Sequence, residues 1–236
     1  MMPALELHEV TKEYDGSSPV VALHSVNLSV AMGEFVAIVG PSGSGKTTLL
    51  SIAGTLERPT AGRVVIAGSA VEDLSDDELA DVRATEIGFV FQRFFLLPTL
   101  STLDNVANGL IYRGIGTEER HRAAHAALEA VKLDHRGDHR PNQLSGGECQ
   151  RAAIARALLG DPKIILADEP TGNVDSAQGG EILELLAELN AAGRTIVVVT
   201  HSQEISDALP RTVRVRDGRV ETDSGSQGDD NDNSAA

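Results

Sequence analysis

The chain reads as an α/β fold built around a parallel sheet, and three features of its 236 residues carry that reading. Four apolar runs at residues 35–39, 87–91, 164–167 and 196–199 lack alternation with polar residues, as in strands covered on both faces. Helix-like stretches separate them, which is the rhythm of parallel strands joined by crossovers. The third feature is Gly40-Pro41-Ser42-Gly43-Ser44-Gly45-Lys46-Thr47, which fits G-x-x-x-x-G-K-[ST] at every fixed position, directly after the first apolar run and directly before a helix opening at Thr47-Thr48-Leu49.

That loop predicts a nucleoside triphosphate site. Its glycines let backbone N–H groups turn inward around phosphate oxygens at the positive end of a helix. Lys46 adds a point charge for the outer phosphates, the Thr47 hydroxyl is placed to ligate Mg²⁺, and Thr48 completes the candidate nucleotide-binding set of residues 40–48.

Composition bounds the rest. With 41% hydrophobic residues the chain can bury a real core, and no apolar run approaches the roughly 20 residues needed to cross a bilayer. Glu6, His8 and Glu9 stand where a signal peptide would need an apolar stretch, so a cytoplasmic protein is expected. The single cysteine, Cys149, excludes an intrachain disulfide, and a net charge of −15 argues against a general nucleic-acid binder. Residues 221–236 carry five acidic side chains and no Lys or Arg among Gly, Ser and Asn; from Thr222 on, this segment is expected to be a disordered acidic tail beyond a domain of residues 1–220.

Taken in order, residues 5–10 and 26–30 partly alternate and suggest half-buried antiparallel strands, with Tyr14 in the loop between them. Its ring either stacks on a nucleotide base or packs as an ordinary tyrosine. A short strand is expected at residues 64–67, and Ser75 with Glu78 forms a capping box that opens a helix to about Ala84. The strand at 87–91 ends on Gln92, on the sheet edge of the phosphate loop, where a Gln reaches the metal or the attacking water. Residues 93–160 turn helical, with Thr117 as a cap for a helix running to about Leu133. His121 and His125, four apart on it, are either a metal pair or part of a solvated face; the lack of Cys in the segment favours the face. Ser145 and Glu148 form a second capping box, and Gly146 and Gly147 leave bare N–H groups at that helix's positive pole, a second anion site. The strand at 164–167 delivers Asp168, placed for Mg²⁺, and Glu169, placed to polarise an attacking water as general base. A helix from about Glu181 to Ala192, closed by Gly193, leads to a last buried strand that ends on His201.

Together, Tyr14, the phosphate loop, Gln92, the Leu144-Ser145-Gly146-Gly147-Glu148 signature, Asp168-Glu169, Asp175 and His201 resemble the ATP-binding subunit of the ATP-binding cassette (ABC) family, from about Leu5 to Val220. The resemblance implies a RecA-like P-loop NTPase core with an antiparallel β lobe and an inserted helical lobe at about 93–160. It implies ATP and Mg²⁺ as cofactors, and a homodimer in which the signature of one subunit caps the γ-phosphate held by the other. Residues 91–100 and 167–176 are similar to the group holding lipoprotein-release, macrolide-export and cell-division ATPases. Cys149 departs from the Gln that usually follows the signature. An ATPase driving a separately encoded membrane permease is the leading expectation, peripheral at the inner membrane face through that partner and not itself inserted. A cell-division regulator and a soluble ATPase of iron–sulfur cluster assembly are the alternatives. The apolar residues 94–97 suit either a socket for a permease helix or the core of the helical lobe.

Overall fold

A computed structural model of the chain describes residues 3–16 and 19–225. An antiparallel sheet in the order β2-β1-β4-β5 combines β1 (Pro3–Tyr14), β2 (Val20–Ala31), β4 (Ala61–Ile66) and β5 (Ser69–Ala70). The second sheet runs β10-β9-β3-β8-β7-β6, from β3 (Phe35–Val39), β6 (Ile87–Val90), β7 (Ile164–Asp168), β8 (Thr195–Thr200), β9 (Arg211–Arg216) and β10 (Arg219–Asp223). Its strands pair parallel from β9 to β6, so their carboxyl ends share one edge; β10 alone is antiparallel. The helices are α1 (Lys46–Ala53), α2 (Asp76–Glu86), α3 (Thr102–Ala107), α4 (Thr117–Ala130), α5 (Gly146–Leu158), α6 (Ser176–Ala191) and α7 (Gln203–Ala208).

The unbroken apolar runs follow from burial on both faces. Along β8, Val197 and Val199 join a core with α1 and the antiparallel sheet, through Leu7, Leu28 and Leu49. Ile196 and Val198 point the other way, into a core shared with the helices through Leu128, Ile154 and Leu186. The helical residues 102–158 and the parallel sheet therefore share one continuous apolar cluster.

Several expectations shift. Tyr14 is the last residue of β1, paired with Val20, and not a loop residue. Helix α4 begins at Thr117 behind Gly116, which offers no side-chain cap, and the Thr117 hydroxyl instead accepts from Arg120. Helix α6 starts at Ser176, capped by Asp175, five residues before the expected Glu181. β8 is not the last strand: β9 and β10 form a hairpin across Asp217-Gly218, both with positive φ, the two-residue turn whose twist suits adjacent strands. That hairpin takes in Glu221, Thr222 and Asp223, so the expected disordered tail does not begin at 222. Arg211 grips the Asp223 carboxylate with Nε at 2.9 Å and Nη2 at 2.6 Å, and holds it well below the usual carboxylate range. The acidic residues 226–236 lie outside the described residues.

One buried side chain gathers the later part of the connection after β6. Asn105 accepts from the Leu97 N–H at 2.6 Å and donates to the carbonyls of Leu97, Leu100 and Ser101. Asn105→Ala strands these backbone groups, and the expected loss is about 1–3 kcal/mol in urea unfolding, with faster hydrogen exchange at the Leu97 amide. Unchanged stability and exchange would show that Asn105 does not hold this loop.

Candidate nucleotide and catalytic site

The phosphate loop leaves β3 and enters α1 through Gly45, at φ 99°; a Cβ there would stand 2.5 Å from the Ala22 carbonyl. Lys46 is 7% exposed and donates to the Gly40 and Pro41 carbonyls, each at 2.9 Å. A pocket of about 420 Å³ lies over the loop. Its floor is Gly43, Gly45, Lys46, Thr47 and Thr48, while Val20, Ala22 and the β9–β10 turn form its wall. The loop amides and the Lys46 ammonium at the floor suit an anionic group, and Val20 and Ala22 give part of the wall apolar surface beside His24 and Asp217. Tyr14 stands nearby, 39% exposed, its hydroxyl donating to Glu57 at 2.8 Å and lying 3.5 Å from Thr48 Oγ1, with the Lys12 ammonium 5.0 Å from the ring centre.

Strand register brings the carboxylates to the same edge, with Val39 beside Thr200 and Asp168 beside Val199. Glu169 leaves β7 at φ 45°, a conformation costly for a side chain that carries a Cβ, and its N–H donates to the Val199 carbonyl at 2.9 Å. Both carboxylate oxygens are held. His201 Nδ1 lies 2.6 Å from Oε1, and the buried Thr200 hydroxyl donates to Oε2 at 3.0 Å. The Ser202 N–H donates to that same hydroxyl at 3.1 Å, which aims its proton at Glu169. Burial, and then the charge of Glu169, push the Asp168 carboxyl above its ordinary value, with Lys46 opposing them.

Gln92 lies two residues past β6, exposed, with its carbonyl accepting from Asn173 at 2.8 Å. Its amide packs against Gly172, so that it faces the loop following Glu169. Ser145 and Glu148 complete the expected capping box, and Glu148 also pairs with Arg136 at 2.9 Å. The Gly147 N–H donates to Gln178 Oε1 at 2.5 Å, and Asp175 accepts the Gln178 N–H at 3.0 Å. None of residues 145–148 lines the pocket over the phosphate loop.

Residues 94–97 divide between the two readings. Phe95 and Leu97 are 60% and 52% exposed, whereas Leu96 packs on the helical core. Arg156 donates to the carbonyls of Phe95 at 2.8 Å and Phe94 at 2.9 Å, so this exposed apolar edge is held rigid from beneath. A cavity of about 540 Å³ adjoins it, lined by Arg93, Phe94, Pro141 and the buried Cys149. His121 pairs with Asp104 at 2.9 Å and His125 with Glu129 at 3.4 Å. Among the described residues no group of three or more His, Cys, Asp or Glu is arranged to hold a metal. Thr200, Arg156 and Gln178 escaped the sequence-based expectations because their partners are 31 to 62 residues away along the chain.

The family model described as ABC transporter matches residues 23–172. An uncharacterised ABC transporter ATP-binding protein of Thermotoga maritima is 54% identical over 94% of this chain and 95% of its own length. The macrolide export ATP-binding/permease protein MacB of Hyphomonas neptunium is 46% identical over 95% of this chain, which spans only 35% of that protein. A dimeric structure of the ATP-binding cassette MJ0796, in a post-hydrolysis state bound to ADP and Pi, superposes with a TM-score of 0.85 at 46% identity, covering 95% of this chain and 99% of that one. The chain belongs to the ABC transporter family, as one of its ATP-binding and ATP-hydrolysing cassettes.

Proposed function

We propose that this cassette hydrolyses ATP between two copies of itself and passes the resulting motion to a separately encoded membrane permease. The observation that carries the reading is Glu169, held at both oxygens by Thr200 and His201, at the edge that also presents Asp168 and the phosphate loop. Residues 40–48 hold the triphosphate, and Lys46 exchanges its two loop carbonyls for phosphate oxygens. The exposed Tyr14 ring, tethered through its hydroxyl, offers a face for the adenine. The Thr47 hydroxyl and Asp168 fit Mg²⁺, since a cation beside Asp168 relieves the burial that raises its pKa. When bound, Mg²⁺ neutralises charge developing on the phosphates. Glu169 then takes the proton of the attacking water, with His201 orienting the carboxylate and Gln92 directed toward the water and metal.

Ser145 and Gly147 face a partner's phosphate in the ATP sandwich, as their separation from the pocket within one chain supports. The rigid edge at Phe95 and Leu97 is the permease-facing surface. The names of the MacB relatives, which join ATP-binding and permease functions in one protein, favour transport over the assembly and division readings. No helix among the described residues is long and apolar enough to cross a membrane, and the proposed location is peripheral, at the inner membrane face through the permease.

Two substitutions test the assigned chemistry. Glu169→Gln keeps the shape but cannot take up a proton, so kcat falls roughly 10²–10⁴-fold while ATP affinity stays within a few-fold, read by turnover and equilibrium binding together. A variant that retained more than about a tenth of wild-type kcat would remove Glu169 from the role. Asp168→Asn removes a charge that the fold disfavours, so the nucleotide-free protein melts higher while Mg²⁺-dependent hydrolysis is lost. Because the folded pKa is raised, wild type loses stability relative to the variant as pH rises through that pKa, and the two converge at acid pH, where Asp168 is protonated. A variant that melts lower at neutral pH would contradict this.

A further inference from the structure

We propose that Gln178 occupies the signature's phosphate-binding amide in a lone subunit, and thereby sets how much ATP is needed before two copies close. The proposal rests on the sandwich reading above. At the start of α5, Ser145 satisfies the Glu148 N–H, which leaves the amides of Gly146 and Gly147 at the positive pole of the helix. The Gly147 N–H is already spent on Gln178 Oε1, at 2.5 Å, shorter than the roughly 2.7–3.2 Å usual for such a bond. The fit is tight on the glycine side too, where a Cβ at 147 would stand 2.6 Å from the same oxygen. A neutral carboxamide oxygen thus stands where an oxygen of the partner's terminal phosphate must stand.

The plug can open without unfolding anything. Gln178 sits in the first turn of α6, and its own N–H is fixed to the capping carboxylate of Asp175 at 3.0 Å, so only side-chain rotation is needed to free Gly147. A phosphate oxygen displaces it because a hydrogen bond to an ionised acceptor is roughly twice as strong as one to a neutral amide. The exchange nonetheless sacrifices the Gln178 contact, and the two-fold symmetry of the sandwich makes it occur twice per dimer. In this arrangement the helix that follows Asp175 reports the state of the signature helix, since α6 and α5 share the one contact that ATP breaks.

The test uses the full chain carrying Glu169→Gln, which traps ATP, and reads the dimer dissociation constant with MgATP by sedimentation velocity. Adding Gln178→Ala is expected to tighten the dimer roughly 5- to 100-fold, as two ordinary hydrogen bonds no longer compete. Adding Gln178→Glu is expected to weaken it, because a carboxylate both holds the amide more firmly and repels the phosphate. A Gln178→Ala dimer of equal or lower affinity overturns the proposal. If the Glu169→Gln parent itself does not dimerise, the sandwich reading falls. The Gln178 contact is then judged by hydrogen exchange at the Gly147 amide in nucleotide-free protein, slower in wild type than in Gln178→Ala if the plug exists. Equal exchange rates, with both proteins folded by melting temperature, overturn it.

Discussion

The parallel pairing of β3, β8 and β7 is the constraint on which everything else rests. Each strand stops at nearly the same height, so the residues after Val39, Asp168 and Thr200 arrive at one edge, and the phosphate loop, the carboxylates and His201 become neighbours although 160 residues separate Gly40 from Thr200. Two apolar cores hold those strands in place, one against each face, and every slip of one residue in β8 would exchange Val197 and Val199 for Ile196 and Val198. Function is thus secured by packing far from the chemistry. The left-handed Glu169 shows the local cost, a strained backbone tolerated where the sheet ends.

The electrostatic design follows from that convergence. For a chain of net charge −15 to hold a polyanion, the proposed site relies on dipoles and one buried lysine rather than a basic surface. Lys46 is folded onto loop carbonyls, which keeps a buried ammonium satisfied in the absence of phosphate. Glu169 is held by the Thr200 hydroxyl and lies 2.6 Å from His201 Nδ1, while Asp168 bears the desolvation, a division that fits the proposed roles of one carboxylate for protons and one for a cation.

Much of this was legible in the sequence. The loop at 40–47, the capping boxes at Ser75 and Ser145 and the buried runs are local patterns, and each appears where its physics requires. The β9–β10 hairpin lies outside the sequence-based expectations although Asp217-Gly218 between alternating valines signals such a turn, because acidic, Gly- and Ser-rich composition follows it directly. Asp223 ends β10 opposite Val213 and is clamped by Arg211, 12 residues earlier, and composition cannot express a pairing. Thr200 looked like the end of an apolar strand, and only the folded neighbourhood turns its hydroxyl toward Glu169. Gln178 carried no motif at all, since its meaning depends on Gly147, 31 residues away.

On the proposed reading one subunit contains two half-sites, the phosphate loop with its carboxylates and the signature with its amides, and the signature residues 145–148 do not line the pocket over the phosphate loop. In the proposed sandwich the nucleotide joins the two half-sites of different subunits. The direct measurement is sedimentation equilibrium of the Glu169→Gln protein with saturating MgATP, set beside the same protein carrying Ser145→Arg. The account predicts a dimer with two nucleotides for the first, and for the second a monomer that still binds one ATP. An ATP-loaded monomer in the first case, or a dimer indifferent to Ser145→Arg, would contradict it.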